Sequence, residues 1–335
     1  CIFAEATAVS AEGRITPFCL GLWNEDQKNG FKPIVSFIKR MGSIPAFQLA
    51  HAGRKAGTKE PWKGGVPLGK EDEKNGEGPW DTFGPSALAL DEGWKVPRAM
   101  GKAEINDLIK SYVKTAKLAL EAGFEVLEIH AAHGYLLNSF LSPIANKRND
   151  EFGGNIEGRA KLLLDIAIAI RNNISKNIPL FCRISAVDGI KNGWELEDSV
   201  ILSKMLYNVG VDVIDCSSGG IQGRPRFAAN DDGTAMKTNT DRGLGFQVPY
   251  SDEIKKNTNI KTMAVGVIVE PNQAENILVQ NKADLIAMGR ELMYNPFWSL
   301  HAAQKLGVDP EYELWPDQYR WGVNRRAKIE KFNDI

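Results

Sequence analysis

The 335-residue chain reads as an α/β protein of parallel βα units, a (βα)8 TIM barrel. Three observations predict it: short apolar strand-like segments recur along the whole length, helical patterns separate them, and no stretch has a linker composition. One domain over residues 1–335 is therefore expected.

The strand-like segments are residues 2–6, 44–49, 126–130, 180–184, 211–216, 262–265 and 285–288. Apolar runs of this length, alternating with helices, suit parallel strands buried on both faces. Helical spacing occupies 32–40, 104–122, 159–172, 197–209, 271–280 and 296–306. The clearest helix sets Ile105, Leu108, Ile109, Tyr112, Val113, Ala116 and Leu120 on one face, and Gly123 supplies its stop. That stripe is core rather than a cofactor contact. Seven strands is one short of a closed eight-stranded barrel, and an open barrel leaves two unpaired edges. The first strand is thus expected to lie before Cys1, where the chain opens without Met or cap. Two long connections, 53–91 and 217–245, follow strand segments and should overhang the carboxyl-end face, where barrels bind ligands.

Composition narrows the partners. Lys and Arg number 41 against 42 Asp and Glu, a formal net charge of −1, so no basic excess argues for nucleic acid or an anionic membrane surface. A small molecule is the default partner. No apolar run reaches the length of a membrane span, and the first residues lack the layout of a signal peptide. The four cysteines, Cys1, Cys19, Cys182 and Cys216, are far apart with no C-x-x-C spacing, which disfavours a structural zinc or iron–sulfur site. Cys182 and Cys216 fall in strand-like runs and read as buried thiols, a usage that fits a reducing, cytoplasmic setting.

The most informative run is His130-Ala131-Ala132-His133-Gly134-Tyr135, directly after the apolar residues 126–129. It sets three proton-donating side chains at a strand's carboxyl end. If the chain turns out at Ala131, His130 and His133 converge on one point, and the alanines leave room for a ligand. Two imidazole N–H groups aimed at one oxygen would stabilise negative charge developing on a carbonyl. Tyr135 can offer a phenolic proton from another direction. The alternatives are hydrogen-bonded packing histidines, or a metal-dependent hydrolase needing His51 or Asp215 as third ligand. No compact ligand cluster is legible, so no metal ligand is assigned.

These residues resemble the Old Yellow Enzyme family of flavin-dependent ene-reductases, in its bacterial His-x-x-His form. The resemblance runs from Glu5 to about Trp321. It rests on Glu5-Ala6-Thr7, the run Gln48 to Arg54, the run His130 to Tyr135, and Leu141-Ser142-Pro143 with Asn146, Arg148, Asp150 and Gly153-Gly154. Asp215-Cys216-Ser217-Ser218-Gly219 and Gly289-Arg290-Glu291 complete it. The resemblance implies FMN at the barrel mouth, NADPH or NADH as electron donor, and hydride transfer from reduced flavin to the β-carbon of an α,β-unsaturated carbonyl compound.

Carried over by residue, His130 and His133 resemble the pair that binds the substrate's carbonyl oxygen, and Tyr135 the proton donor. Gln48 and Ala6 resemble contacts to the flavin's pyrimidine edge, and Arg183 the cation beside its N1 and O2. Arg183 has an alternative as a mouth ion pair with Asp188. Gly266, Gly289 and Arg290 match the phosphate-binding position after the seventh and eighth strands. Arg148, Asp150 and Gly153-Gly154 read as a loop brace. Where relatives have Glu-Asn-Arg this chain has Glu157-Gly158-Arg159. His51 and Arg54 are expected behind the flavin site or at its entrance, with Lys55 among the substrate contacts. The tail Gln318-Tyr319-Arg320-Trp321 resembles one that reaches a neighbouring subunit's site. By register Trp321 takes the reaching position and Arg320 precedes it, and a homo-oligomer is implied. The family's first strand is not in the given sequence, which leaves an inactive flavoprotein fragment as a further alternative.

Overall fold

A computed structural model describes residues 1–76, 78–222 and 243–329, so most of the second long connection lies outside the described residues. The strands are β1 (Ile2–Ala8), β2 (Pro45–Ala50), β3 (Phe83–Gly84), β4 (Arg98–Ala99), β5 (Val126–Ala131), β6 (Leu180–Ser185), β7 (Val213–Ser217), β8 (Lys261–Ala264) and β9 (Leu285–Ile286). Seven form one curled parallel sheet in the order β1-β2-β5-β6-β7-β8-β9, which is the expected set in the expected sequence. Among the described residues, β1 and β9 are its edges. Of the short β3–β4 pair, β3 falls inside the connection 53–91 and β4 after it; neither was legible, because two residues carry no periodicity.

The helices are α1 (Glu25–Arg40), α2 (Lys102–Ala122), α3 (Leu136–Leu141), α4 (Ile156–Arg171), α5 (Leu196–Asn208), α6 (Val248–Asn257), α7 (Pro271–Val279), α8 (Arg290–Tyr294), α9 (Trp298–Lys305) and α10 (Asp317–Ala327). Helix α1 begins at Glu25 rather than at 32. The Asn24 side chain accepts from the Gln27 N–H and the Gln27 side chain accepts from the Asn24 N–H, a capping box that starts the helix in polar sequence. Helix α6 was missed because only Val248, Ser251 and Ile254 of its residues are buried.

Strand alternation sorts the side chains into two cores. Leu127, Ile129 and Ala131 of β5 join the large core shared with the helices. Val126 belongs to a second cluster with Ala46, Phe181, Val213 and Met263, against which Phe3 and Ala287 pack. Neighbouring strands around the sheet each send one residue to it, so this cluster plugs the barrel's amino-terminal end. Two residues further along, the same inward face carries Gln48, Glu128, Arg183 and Asp215. The ladder pairs Gln48 with Glu128 and Arg183 with Asp215. The interior thus changes from apolar to polar within a single inward step, and His130 follows one step nearer the mouth.

The expected loop brace is present. Arg148 pairs with Asp150 and donates to the carbonyls of Pro85 and Met100, tying the connection before α2 to the loop after α3. Gly153 packs against it, where an added Cβ would lie 2.3 Å from the Arg148 carbonyl oxygen. The Glu157-Gly158-Arg159 departure keeps its cation: Arg159 donates to the Leu141 and Gly154 carbonyls. Arg148→Ala leaves Asp150 and two carbonyls without their partner, and a loss of about 3 kcal/mol in unfolding free energy is expected in a denaturant titration. An unchanged midpoint would show that the brace carries no stability.

Candidate active site

The histidine pair is built by the exit of β5. After Ala131 the backbone enters the left-handed region at His133 (φ 59°) and Gly134 (φ 72°). Gly134 is required there, since a Cβ would meet the Gly220 carbonyl oxygen at 2.1 Å. For His133 the conformation is strained, and its neighbours hold it. Its N–H donates to Ser185 Oγ at 2.8 Å, and the Gly134 N–H donates to Asn138 Oδ1 at 2.6 Å. The turn brings the His130 and His133 ring centroids to 5.2 Å and sets the Tyr135 ring 5.1 Å from that of His130.

The imidazoles differ from the expected arrangement in one respect. They meet at the mouth but bond to each other instead of facing one common point. His130 Nδ1 accepts from the Ala132 N–H at 3.2 Å, which assigns its proton to Nε2 in the neutral ring. That Nε2 stands 3.3 Å from His133 Nδ1, and His133 Nε2 stands 2.6 Å from Ser217 Oγ. The chain of donors therefore runs from Ala132 through His130 and His133 to Ser217.

Burial, reinforced by the Arg183 charge, holds His130 at about 3. Burial and the adjoining His130 push His133 well below the ordinary histidine value. Both rings are neutral near neutral pH. Burial raises the Tyr135 phenol to about 12, so it keeps its proton.

Lys55 joins the site from the turn after β2. Its Nζ donates to the carbonyls of His133 (2.6 Å) and Gly220 and lies 5.5 Å from the Tyr135 ring centroid. Burial, with the Arg54 charge beside it, lowers the ammonium to about 7. His51 and Arg54 hold the surrounding loops. His51 Nδ1 accepts the Gly53 N–H at 3.0 Å, and Arg54 donates to the carbonyls of Ala89 and Ile221. Burial takes His51 down to about 4. Neither His51 nor Asp215 adds a third ligand to the pair: among the described residues no three His, Cys, Asp or Glu side chains gather as a metal-binding group.

The residues expected around a cofactor stand on β1, β2 and β6 and on the segments after β8 and β9. Gln48 is buried and donates through Nε2 to Glu128 Oε1. Arg183 pairs with Asp215 across the ladder at 3.3 Å, not with Asp188. Asp188 instead accepts from Ser142 Oγ at 2.6 Å and from the Trp194 N–H at 2.8 Å. Ala6 lines a cleft with Ala8, Ala50, Ala52, Cys19 and Tyr135. Gly266 follows β8, and Gly289 caps the amino end of α8, with Arg290 as its first residue and open space where a Gly289 Cβ would stand. Trp321 is exposed on α10 under the Arg325 guanidinium, and Arg320 pairs with Glu313, so both make these contacts within their own tail.

Sequence reasoning missed Glu128, Ser185, Ser217 and Asn138. Glu128 carried a signal: a carboxyl in the middle of a run buried on both faces needs an inward polar partner.

These residues fit a flat, anionic cofactor such as FMN. The narrow cleft beside Ala6 is walled in part by the small residues Ala8, Gly13, Ala50 and Ala52. Gln48 supplies an amide and Arg183 a cation in the layer next to the histidines, and the buried Arg183 Nε has no hydrogen-bond partner in the protein. Gly289 is exposed, with open space where a Cβ would stand, so its backbone can be approached closely.

The chain matches the NADH:flavin oxidoreductase / NADH oxidase family over residues 1–309. It is 42% identical over 330 residues to an NADPH dehydrogenase of Bacillus cytotoxicus, across 98% of this chain and 84% of that one. An NADPH dehydrogenase of Geobacillus sp. is 39% identical over 307 residues, 92% of this chain and 80% of that one. Among solved structures, the Old Yellow Enzyme homologue from Zymomonas mobilis aligns with a TM-score of 0.70 at 26% identity, over 91% of this chain and 79% of that one. The chain therefore belongs to the NADH:flavin oxidoreductase / NADH oxidase family and is an FMN-dependent NAD(P)H oxidoreductase of the Old Yellow Enzyme type.

Proposed function

We propose that the protein is an ene-reductase that reduces the activated C=C bond of α,β-unsaturated carbonyl compounds. The observation that carries this reading is the pair of neutral imidazoles, linked as N–H donors at the barrel mouth beside the Tyr135 phenol. Bound FMN supplies hydride chemistry between the nicotinamide donor and the substrate's β-carbon. In this reading, the backbone of Ala6, the Gln48 amide and the Arg183 guanidinium would hold the flavin ring, and Gly266, Gly289 and Arg290 would hold the phosphate.

The protein groups then divide the work on the substrate. His130 and His133 turn Nε2–H donors onto the carbonyl oxygen, replacing the His130–His133 and His133–Ser217 contacts. Because the donors are fixed before negative charge grows on that oxygen, little reorganisation opposes the reaction. Tyr135, protonated at all ordinary pH values, delivers a proton to the α-carbon. Lys55 borders the substrate space from its two backbone carbonyls. Trp321, exposed on α10, reaches the site of a second copy in a homo-oligomer. All of these groups belong to one FMN-binding domain spanning residues 1–335. Among the described residues no helix is long and apolar enough to cross a membrane. Spaced cysteines, with Cys182 and Cys216 buried as free thiols, support a cytoplasmic setting.

Replacing His130 or His133 by Ala is expected to slow oxidation of the reduced enzyme by an enone roughly 10²-fold, with FMN still bound. Stopped-flow absorbance measures it, and unchanged turnover in the double variant rules out the role. Arg183→Ala is expected to weaken FMN binding and lower the flavin potential; calorimetry and a dye-coupled redox titration matching wild type would remove that assignment. The histidines also predict an acid limit. Below about 6.5 the unfolded chain protonates His130 while the folded chain stays neutral down to about 3. Stability therefore falls as pH drops through that interval. Chemical denaturation across it should show a shallower loss for His130→Gln, and identical slopes would contradict the neutral assignment.

A further inference from the structure

Beneath the histidines the barrel interior holds more acid than base. Glu128 and Asp215 are each 1% exposed, and the cation within their layer is Arg183. Glu128 is faced by Gln48 from β2, by Arg183 from β6, by Asp215 from β7, and by His130 on its own strand. The nearby Cys182 thiol of β6 is kept protonated by burial. Glu128 Oε2, Asp215 Oδ1 and Arg183 Nε are all buried without a hydrogen-bond partner. With both carboxylates ionised, the layer would carry one uncompensated negative charge on buried oxygens, which their desolvation penalises. One proton removes that cost.

Geometry decides which carboxyl carries the proton. Arg183 pairs with Asp215 and favours its ionised form, whereas the partner of Glu128 is an amide. Glu128 Oε1 accepts from Gln48 Nε2, so a proton on Glu128 sits on Oε2. Burial and the Asp215 charge act in the same direction, raising the Glu128 carboxyl well above its ordinary value.

We propose that Glu128 is a positioning residue of the flavin site: a protonated carboxyl that fixes the Gln48 amide and keeps the layer neutral for the charge of reduced flavin. The proposal rests on the placement of Gln48 and Arg183 under the flavin. With the Gln48 N–H₂ engaged by Glu128 on the neighbouring strand, its carbonyl is left for the cofactor's ring N–H. With Glu128 neutral, Asp215 and Arg183 balance, and no net negative charge opposes reduction.

A coupled protonation follows. Two-electron reduction of bound flavin to its anionic form takes up one proton at the ring. The negative charge gained raises the proton affinity of Glu128. At alkaline pH, where Glu128 is ionised before reduction and protonated after it, a second proton enters from solvent with the same two electrons. The midpoint potential then falls twice as steeply with pH inside that window as below it.

The experiment is redox potentiometry of the holoenzyme from acid to alkaline pH, for wild type, Glu128→Gln, Asp215→Asn and Arg183→Ala. It is joined by infrared difference spectra of the FMN-free and FMN-bound proteins. The expected result has three parts. Wild type shows the doubled slope, while Glu128→Gln matches its potential at acid pH and keeps the single slope throughout. Asp215→Asn moves the window to lower pH, because Glu128 then ionises more easily. A protonated-carboxyl band, lost in Glu128→Gln and at alkaline pH in wild type, appears with and without FMN. A missing band, or equal slopes in wild type and Glu128→Gln while Arg183→Ala shifts the potential, overturns the assignment of Glu128. A band that behaves as expected beside an Arg183→Ala potential equal to wild type overturns the placement of the flavin over this layer, and the cofactor role falls with it.

Discussion

The structure depends on the register of the parallel ladder from β2 through β7. Alternation along each strand sends one set of side chains to the helices and the other into the barrel. A one-residue slip of β5 would therefore turn Glu128 and His130 outward and bring Leu127 and Ile129 into the interior. The packing makes that slip expensive. Leu127, Ile129 and Ala131 are fully buried in the core shared with the helices, and Val126 closes the plug at the opposite end. Apolar burial on both faces thus fixes where the polar groups stand, although those groups weaken the fold locally.

Polar groups at the mouth are desolvated, and the site's chemistry comes from that. Lys55 and His130 are both shifted toward their neutral forms by burial, while Tyr135 is held protonated. Each shift costs folding free energy only where the unfolded chain ionises the group and the folded chain resists it: below pH 10.5 for Lys55, below 6.5 for His130 and above 10 for Tyr135. In return the site holds donors whose protonation is set before a ligand arrives. The left-handed turn at His133 is part of the same exchange. Lys55, Ser185 and Asn138 hold the segment 133–134 through backbone atoms, so a strained conformation persists where the chain leaves the strand.

Much of this was legible from the amino acids. Seven apolar runs named the seven strands of the sheet, and the stripe from Ile105 to Leu120 named α2, because burial on a regular element leaves a periodic trace. The His-x-x-His-x-Tyr run showed itself by its place after a strand. Elements without a trace were missed: β3 and β4 are too short, and α6 buries too few apolar residues. The partner of Arg183 was not readable, since ladder register alone selects Asp215 over Asp188. The linkage of the two histidines was equally hidden, because ring orientation depends on Ala132 and Ser217.

The sequence by itself determined the fold class, the family and the residue types at the mouth, since hydrophobic period and local motifs are properties of contiguous chain. Tertiary structure alone decided which charges meet, which protons they hold and which oxygens remain unpaired. Those outcomes depend on side chains tens of residues apart sharing a dry interior. There a few ångströms of separation, and the loss of water, outweigh anything a residue's own neighbours in the chain impose.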